Sequence, residues 1–255
     1  MAVAREGAEA TAAIAACHVV LGRAPGRANR SVLWIGVTIG TIGSLVAIVG
    51  LVATGARLDQ AGEDLAEGAM MLATSALLVP LFWYLAGAAR DEPVAVGRLP
   101  LALGGVAVLL LLREAPETAI EIADRDGASA LGSLAGSAAG VAFLGVAGVA
   151  LALALGQLSW HRLALAVRLG LAVYVAGRLG HALSEFVEAG LVPDSRVLWD
   201  LESVVPQGHT VGRLLRALLG YASRMTLGEF LAWASGVATF VALEAFAVLR
   251  RRRRT

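Results

Sequence analysis

Lysine is absent from this 255-residue chain, so every positive side chain in its Lys-plus-Arg count of 21 is arginine. Cysteine occurs once, at Cys17, which excludes an intrachain disulfide and a cluster of thiolate metal ligands. Its Ala-Ala-Cys context has a lipidation reading, but the charges just upstream favour an ordinary small helix residue. Charge as a whole is scarce. Only 16% of residues are Asp, Glu, Lys or Arg, against roughly 25% in a soluble domain. A cleavable leader is not expected, because Arg5, Glu6 and Glu9 sit where its apolar region would lie. Nucleophile–base pairs, phosphate-binding glycine loops and thiol clusters are all missing, so the chain is not read as an enzyme, and no permanently bound cofactor is expected.

What is plentiful is apolar. The composition is 58% hydrophobic and the mean hydropathy is +0.74. Runs such as 32–54, 69–89 and 129–160 are too long for a soluble core. Crossing a bilayer core of ~30 Å takes about 20 helical residues. Seven spans are expected, at about 3–21, 33–54, 64–85, 99–122, 131–155, 163–188 and 227–249. The class is therefore all-α, a polytopic membrane protein forming one permease domain over 1–255, with membrane lipid as its solvent.

Arginines gather in alternate loops: Arg23, Arg27 and Arg30, then Arg90 and Arg98, then Arg162, then Arg250 to Arg254. The intervening loops carry Asp59 and Glu63, then Asp124 and Asp126, then Asp194, Asp200 and Glu202, with Arg57, Arg125 and Arg196 as exceptions. The positive-inside rule then puts the N-terminus outside and the C-terminus in the cytoplasm, which an odd number of spans satisfies. The basic tail, 250–255, reads as a cytoplasmic stop against anionic lipid and not as a nucleic-acid contact. Gly36 and Gly40 in the second span, and Gly132, Gly136 and Gly140 in the fifth, make small-residue stripes for close helix approach. Residues 191–225 form the one sizeable polar excursion, an outer loop whose 211–221 stretch has the pattern of a short interfacial helix. Thr226 with Glu229 forms a capping box at the start of the last helix.

Charges inside the spans carry the functional information, because each costs about 2.5–3.5 kcal/mol at mid-bilayer on insertion scales. The first span contains Arg5-Glu6-Gly7-Ala8-Glu9, and the fourth contains Arg113-Glu114-Ala115-Pro116-Glu117. Both are Arg-Glu-x-x-Glu, and glutamates at i and i+3 share a helix face. Arg5 and Arg113 stand four residues from the second glutamate of each, placed for charge pairing. One such motif is as easily a structural ion pair as a site; two at corresponding positions point to a carboxylate cluster suited to the hard cations Fe(III), Mn(II), Mg(II) or Ca(II). Pro116 leaves the carbonyl of Leu112 without its helical donor, as a kink or an added ligand. A second pair of acidic sites echoes the first. Asp64 and Glu67 open the third span, and Arg178, His181, Glu185 and Glu188 line one face at the end of the sixth. His181 on that face reads as a ligand or a proton carrier. Spans one to three and four to six thus look like two copies of one unit, about 1–89 and 98–190, the second inverted, with helix seven (226–250) added. His18, His161 and His209 read as interfacial or solvated, Met70 and Met71 as packing, and Glu244 has no evident partner.

These motifs together resemble the oxidase-dependent iron permeases of fungal plasma membranes and bacterial inner membranes. The resemblance rests on the paired Arg-Glu-x-x-Glu motifs, on Asp64-Leu65-Ala66-Glu67-Gly68, on Glu188-Ala189-Gly190-Leu191, and on Trp199-Asp200-Leu201 and Leu219-Gly220-Tyr221 in the outer loop. Ala115-Pro116 stands where that family usually has glycine and an apolar residue. The resemblance implies seven helices in a bacterial cytoplasmic membrane and the uptake of iron, arriving as Fe(II), oxidised by a partner ferroxidase or handed over by a periplasmic iron-delivery protein, and passed through as Fe(III). It implies Glu6, Glu9, Glu114 and Glu117 as metal ligands, with Asp64 and Glu67 meeting the ion first. Other cargoes (Mn, Zn, Pb) and a non-transporting subunit that docks or senses a metal-loading partner remain as alternatives.

Overall fold

A computed structural model describes residues 2–23, 30–54, 59–88, 99–123, 130–209, 211–212, 215–216 and 220–252. Within its helices, side chains are described except at 2–6, 8–9, 114, 116–123, 130–139, 141, 247–248 and 250–252. These residues form the long helices α1 (Ala2–Arg23), α2 (Arg30–Thr54), α3 (Gln60–Ala88), α4 (Leu99–Ala123), α5 (Ala130–Gln157), α6 (Trp160–Glu188) and α7 (Leu227–Arg252). Two short antiparallel strands, β1 (Val197–Asp200) and β2 (Arg224–Thr226), lie between α6 and α7. Each expected span falls on one helix. α4 continues past Pro116 to Ala123, so the proline does not end it.

Among the described residues, four stretches are long and apolar enough to cross a membrane: Arg30–Thr54, Gln60–Gly87, Trp160–Glu188 and Leu227–Phe246. Their outer faces suit hydrocarbon. Ile39, Ile42, Val46 and Val49 on α2 are each more than half exposed, as are Leu231, Val241 and Phe246 on α7. A soluble protein rarely leaves so continuous an apolar strip open to water.

The chain groups into two compact units. The first comprises Met1–Arg57 and Ala95–Leu163, and the second Leu58–Val94 and Ala164–Thr255. In the first unit α2 packs along α4, α1 packs along α5, and α1 also meets α4. The α2–α4 seam depends on missing side chains. A Cβ added at Gly36 would lie 2.7 Å from the Gly104 Cα, and one at Gly40 would lie 3.0 Å from the Val108 Cα. The two backbones therefore touch, as the stripe in the sequence predicts. One turn on, the Ser44 hydroxyl donates to the Leu111 carbonyl at 2.6 Å. Gly140 of the α5 stripe is buried, while Gly132 and Gly136 lie outside the described side chains. Gly36→Val is expected to destabilise the protein by about 1–3 kcal/mol, the usual cost of overpacking a close contact. Thermal unfolding in detergent checks it, with Gly50→Val as control, because a Cβ at Gly50 meets nothing within 4 Å.

In the second unit α6 contacts both α3 and α7. Its buried positions Val167, Leu171, Val175, Arg178, Ala182 and Glu185 step by three or four residues and form one face. That face is apolar at the start of the helix and polar at its end. Glycines set the contacts: a Cβ at Gly236 of α7 would lie 2.8 Å from Ala176 Cα, and one at Gly68 of α3 would lie 2.7 Å from Phe186 Cε1. Phe82 of α3 meets Phe240 of α7 edge-on, with ring centroids 4.6 Å apart. α6 closes with Gly190 at φ 76°, its N–H on the Val187 carbonyl (3.0 Å) and the Leu191 N–H on the Phe186 carbonyl (2.9 Å). α7 opens with the expected capping box. The Thr226 N–H donates to Glu229 Oε2 at 2.7 Å, and the Glu229 N–H to the Thr226 hydroxyl at 3.4 Å.

Candidate metal centre

Hydropathy explains the apolar ends of α3 and α6 but not the acids at their other ends. Asp64 and Glu67 lie one turn apart on α3, and Glu185 and Glu188 one turn apart on α6. The close contact of Gly68 with Phe186 brings those turns together. Two donor sets result. One ligand atom from each of Glu67, His181 and Glu185 lies within 4.8 Å of the others, and the same holds for Asp64, Glu185 and Glu188. Glu185 belongs to both sets and is the most enclosed, at 8% exposure. In an octahedral site with bonds of about 2.1 Å, donors stand about 3.0 Å apart when adjacent and about 4.2 Å when opposite. Donor atoms that all lie within 4.8 Å of one another are compatible with that scale.

The surroundings are strongly acidic. Four carboxylates share a small volume, and the charges of Glu67, Glu188 and Asp64 all act on Glu185. Asp64 Oδ2 is buried and makes no hydrogen bond. A buried acceptor without a donor costs free energy that a bound cation would remove. His181 Nε2 lies 3.4 Å from Glu185 Oε1, and the Ser184 hydroxyl 3.4 Å from Glu188 Oε1. Arg178, buried one turn before His181 on the same helix face, sets its guanidinium 5.1 Å from the centre of the Tyr174 ring. From the segment between α6 and α7, Arg216 places Nη2 2.9 Å from His181 Nδ1 and also touches Nε2. Carboxylates plus one imidazole, without sulfur, suit Fe, Mn and Zn and disfavour soft cations.

The structure therefore brings together Asp64, Glu67, His181, Glu185 and Glu188. It does not describe the side chains of Arg5, Glu6, Glu9, Glu114 and Glu117; only their positions on α1 and α4 are given. Those two helices pack in the first unit, where Ala10 and Ala115, beside the motif glutamates, are buried at 3% and 1% exposure. Of the remaining residues, Cys17 is buried, His161 and His209 are exposed, and His18 accepts from the Trp34 indole N–H at 3.3 Å.

Two partnerships were not evident in the sequence. Glu244 of α7 is ion-paired with Arg168 of α6. Opposite lone charges in two apolar spans are the signal that could have found it. Glu244→Gln is expected to lower stability by about 1–2 kcal/mol, less than for a fully buried pair because the Glu244 side chain keeps 36% exposure. Arg168→Gln combined with Glu244→Gln should recover most of that loss in detergent melts. Arg216 is the other. Its contact with His181 joins residues 35 apart in sequence, which no periodicity reveals.

Comparison of the chain with protein-family models, with curated proteins and with solved structures finds no match.

Proposed function

We propose that this chain is a multi-pass permease of the cytoplasmic membrane that takes up iron, capturing it at the α3/α6 cluster and passing it along the Arg-Glu-x-x-Glu glutamates of α1 and α4. The observation that carries this reading is the convergence of Asp64, Glu67, His181, Glu185 and Glu188 from two apolar helices, around a buried carboxylate oxygen with no donor. Charges in such helices are expensive unless they serve a site.

The helix pairings support an inverted repeat. Exchanging α1 with α4 and α2 with α5 converts the α1–α5 pairing into α4–α2, and both pairings occur in the first unit. Under the same exchange α3 becomes α6, and both belong to the second unit. α3 offers its acids from its first turns and α6 from its last turns, as inverted copies would. Seven spans with the N-terminus outside put both acid pairs on the outer side, where an arriving ion meets them first. The arginine bias in the loops supports that orientation. The resemblance of the motifs adds the cargo, Fe(III) formed from Fe(II) by a partner ferroxidase. No reaction is assigned to the chain itself.

His181 favours a second reading within the same class. An imidazole among carboxylates suits a divalent ion, so Fe(II), Mn(II) or Zn(II) would travel without prior oxidation. Uptake of radioactive iron into proteoliposomes, with manganese and zinc as competitors and with and without a ferroxidase, tests both. Iron-selective uptake that needs the oxidase supports the first reading, and oxidase-independent uptake of several divalent ions the second. Folded protein that moves no metal under either condition sinks the transport reading.

A further inference from the structure

The cluster contains four carboxylates, and the segment between α6 and α7 lays a cation against it. We propose that Arg216 is a tethered counter-ion: it holds the cluster when no metal is bound, and an arriving metal must displace it from His181. This rests on the reading of the α3/α6 cluster as a metal site.

The first argument is one of lone pairs. A neutral imidazole has one acceptor nitrogen, and that nitrogen is the one a metal would use. A guanidinium carries only donors. Arg216 Nη2 lies 2.9 Å from His181 Nδ1 and also contacts Nε2, so it occupies the edge of the ring that a metal would approach. Arg216 and a metal cannot use His181 together.

The second argument is charge. The Arg216 charge acts on Glu185 as well as on Arg178. Arg178 is a permanent neighbour, buried within α6 at 7% exposure. Arg216 is only half-buried and reaches the cluster from outside the helix. Once a divalent ion neutralises the carboxylates, the attraction holding Arg216 falls while repulsion from Arg178 stays.

The third argument is the tether. The Arg216 carbonyl accepts the Gly220 N–H at 2.9 Å, and Gly220, at φ 67°, sits so close to Gly177 of α6 that no side chain would fit there. The Tyr221 hydroxyl donates to the Val205 carbonyl at 3.0 Å. The backbone beside Arg216 is thus held near α6, and the arginine reaches the cluster through its long side chain. The consequence is a charge threshold: a monovalent ion competes poorly with a guanidinium beside an acidic cluster, whereas a multivalent ion competes well.

The test uses the full-length protein in detergent and Mn(II) alone as probe. Calorimetric titration should give about tenfold tighter binding for Arg216→Gln than for wild type, since a tenfold change corresponds to one modest ion-pair contribution. Arg216→Lys, which keeps the charge, should stay near wild type. Phenylglyoxal labelling of Arg216 in the wild-type protein, read by mass spectrometry, should speed up several-fold when Mn(II) is added. Labelling needs no variant, so it decides the matter even if Arg216→Gln misfolds. Wild type that binds Mn(II), with labelling unchanged or slowed or with no gain in Arg216→Gln, overturns the counter-ion role and leaves the metal site standing. Absence of Mn(II) binding in wild type and in Arg216→Gln alike overturns both.

Discussion

Replacing Glu185 by glutamine is expected to weaken binding of Mn(II) or Fe(II) by at least about a hundredfold, more than changes to residues that merely support metal ligands. Glu185 is the one side chain common to both donor sets, so its loss breaks each of them. Glutamine keeps the shape and removes the charge. The change should not unfold the protein. It takes one negative charge out of a group of four, so repulsion within the metal-free cluster falls and melting in detergent should hold or rise. Loss of binding together with a held or raised melting temperature would separate a ligand from a structural residue. Glu188→Gln is the graded comparison. Glu188 is exposed and belongs to one donor set only, so about a tenfold loss is expected. Equal and small effects for the two variants would remove the cluster from consideration as a metal site.

The pieces of this site that the sequence reveals are those governed by helix periodicity. Asp64 and Glu67 are three residues apart, and 178, 181, 185 and 188 step by three, four and three. Once hydropathy identifies the segments as helices, those spacings place each set on one face. Gly68 and Gly190 mark the close contact and the helix end that fix where the faces meet. Arg216 was read as part of an interfacial helix, because nothing local to 211–221 says which groove it enters. Its contact depends on where Gly220 docks on α6. The pairing of Arg168 with Glu244 joins two helices across the whole outer segment, and only their complementary charge links them in the sequence. The grouping of α1, α2, α4 and α5 apart from α3, α6 and α7 likewise has no hydropathy signature, since every one of these helices is apolar along most of its length.

Glu114→Gln is expected to cut metal uptake into proteoliposomes by at least about tenfold, since a group that contacts the passing ion should matter no less than one that merely supports metal ligands. It should leave calorimetric Mn(II) binding at the α3/α6 cluster unchanged. Glu114 belongs to α4 in the first unit, whereas every residue of the cluster belongs to the second. Capture and passage should therefore be separable by mutation. Ala115, its neighbour in the motif, is buried at 1% exposure, so this turn of α4 lies in packed helix and not in solvated loop. The motif's twin places a second pair of glutamates on α1, a helix that packs against α4. Glu6→Gln, Glu9→Gln and Glu117→Gln should behave in the same way. Asp59→Asn sets the baseline. Asp59 is exposed ahead of α3 and accepts the Gly62 N–H at 3.2 Å, a capping role that asparagine performs equally well, so uptake should be unchanged. Full uptake in all four motif variants would take the Arg-Glu-x-x-Glu glutamates off the path and leave Arg5 and Arg113 as partners in structural ion pairs. Loss of uptake and of cluster binding together would overturn the separation of capture from passage.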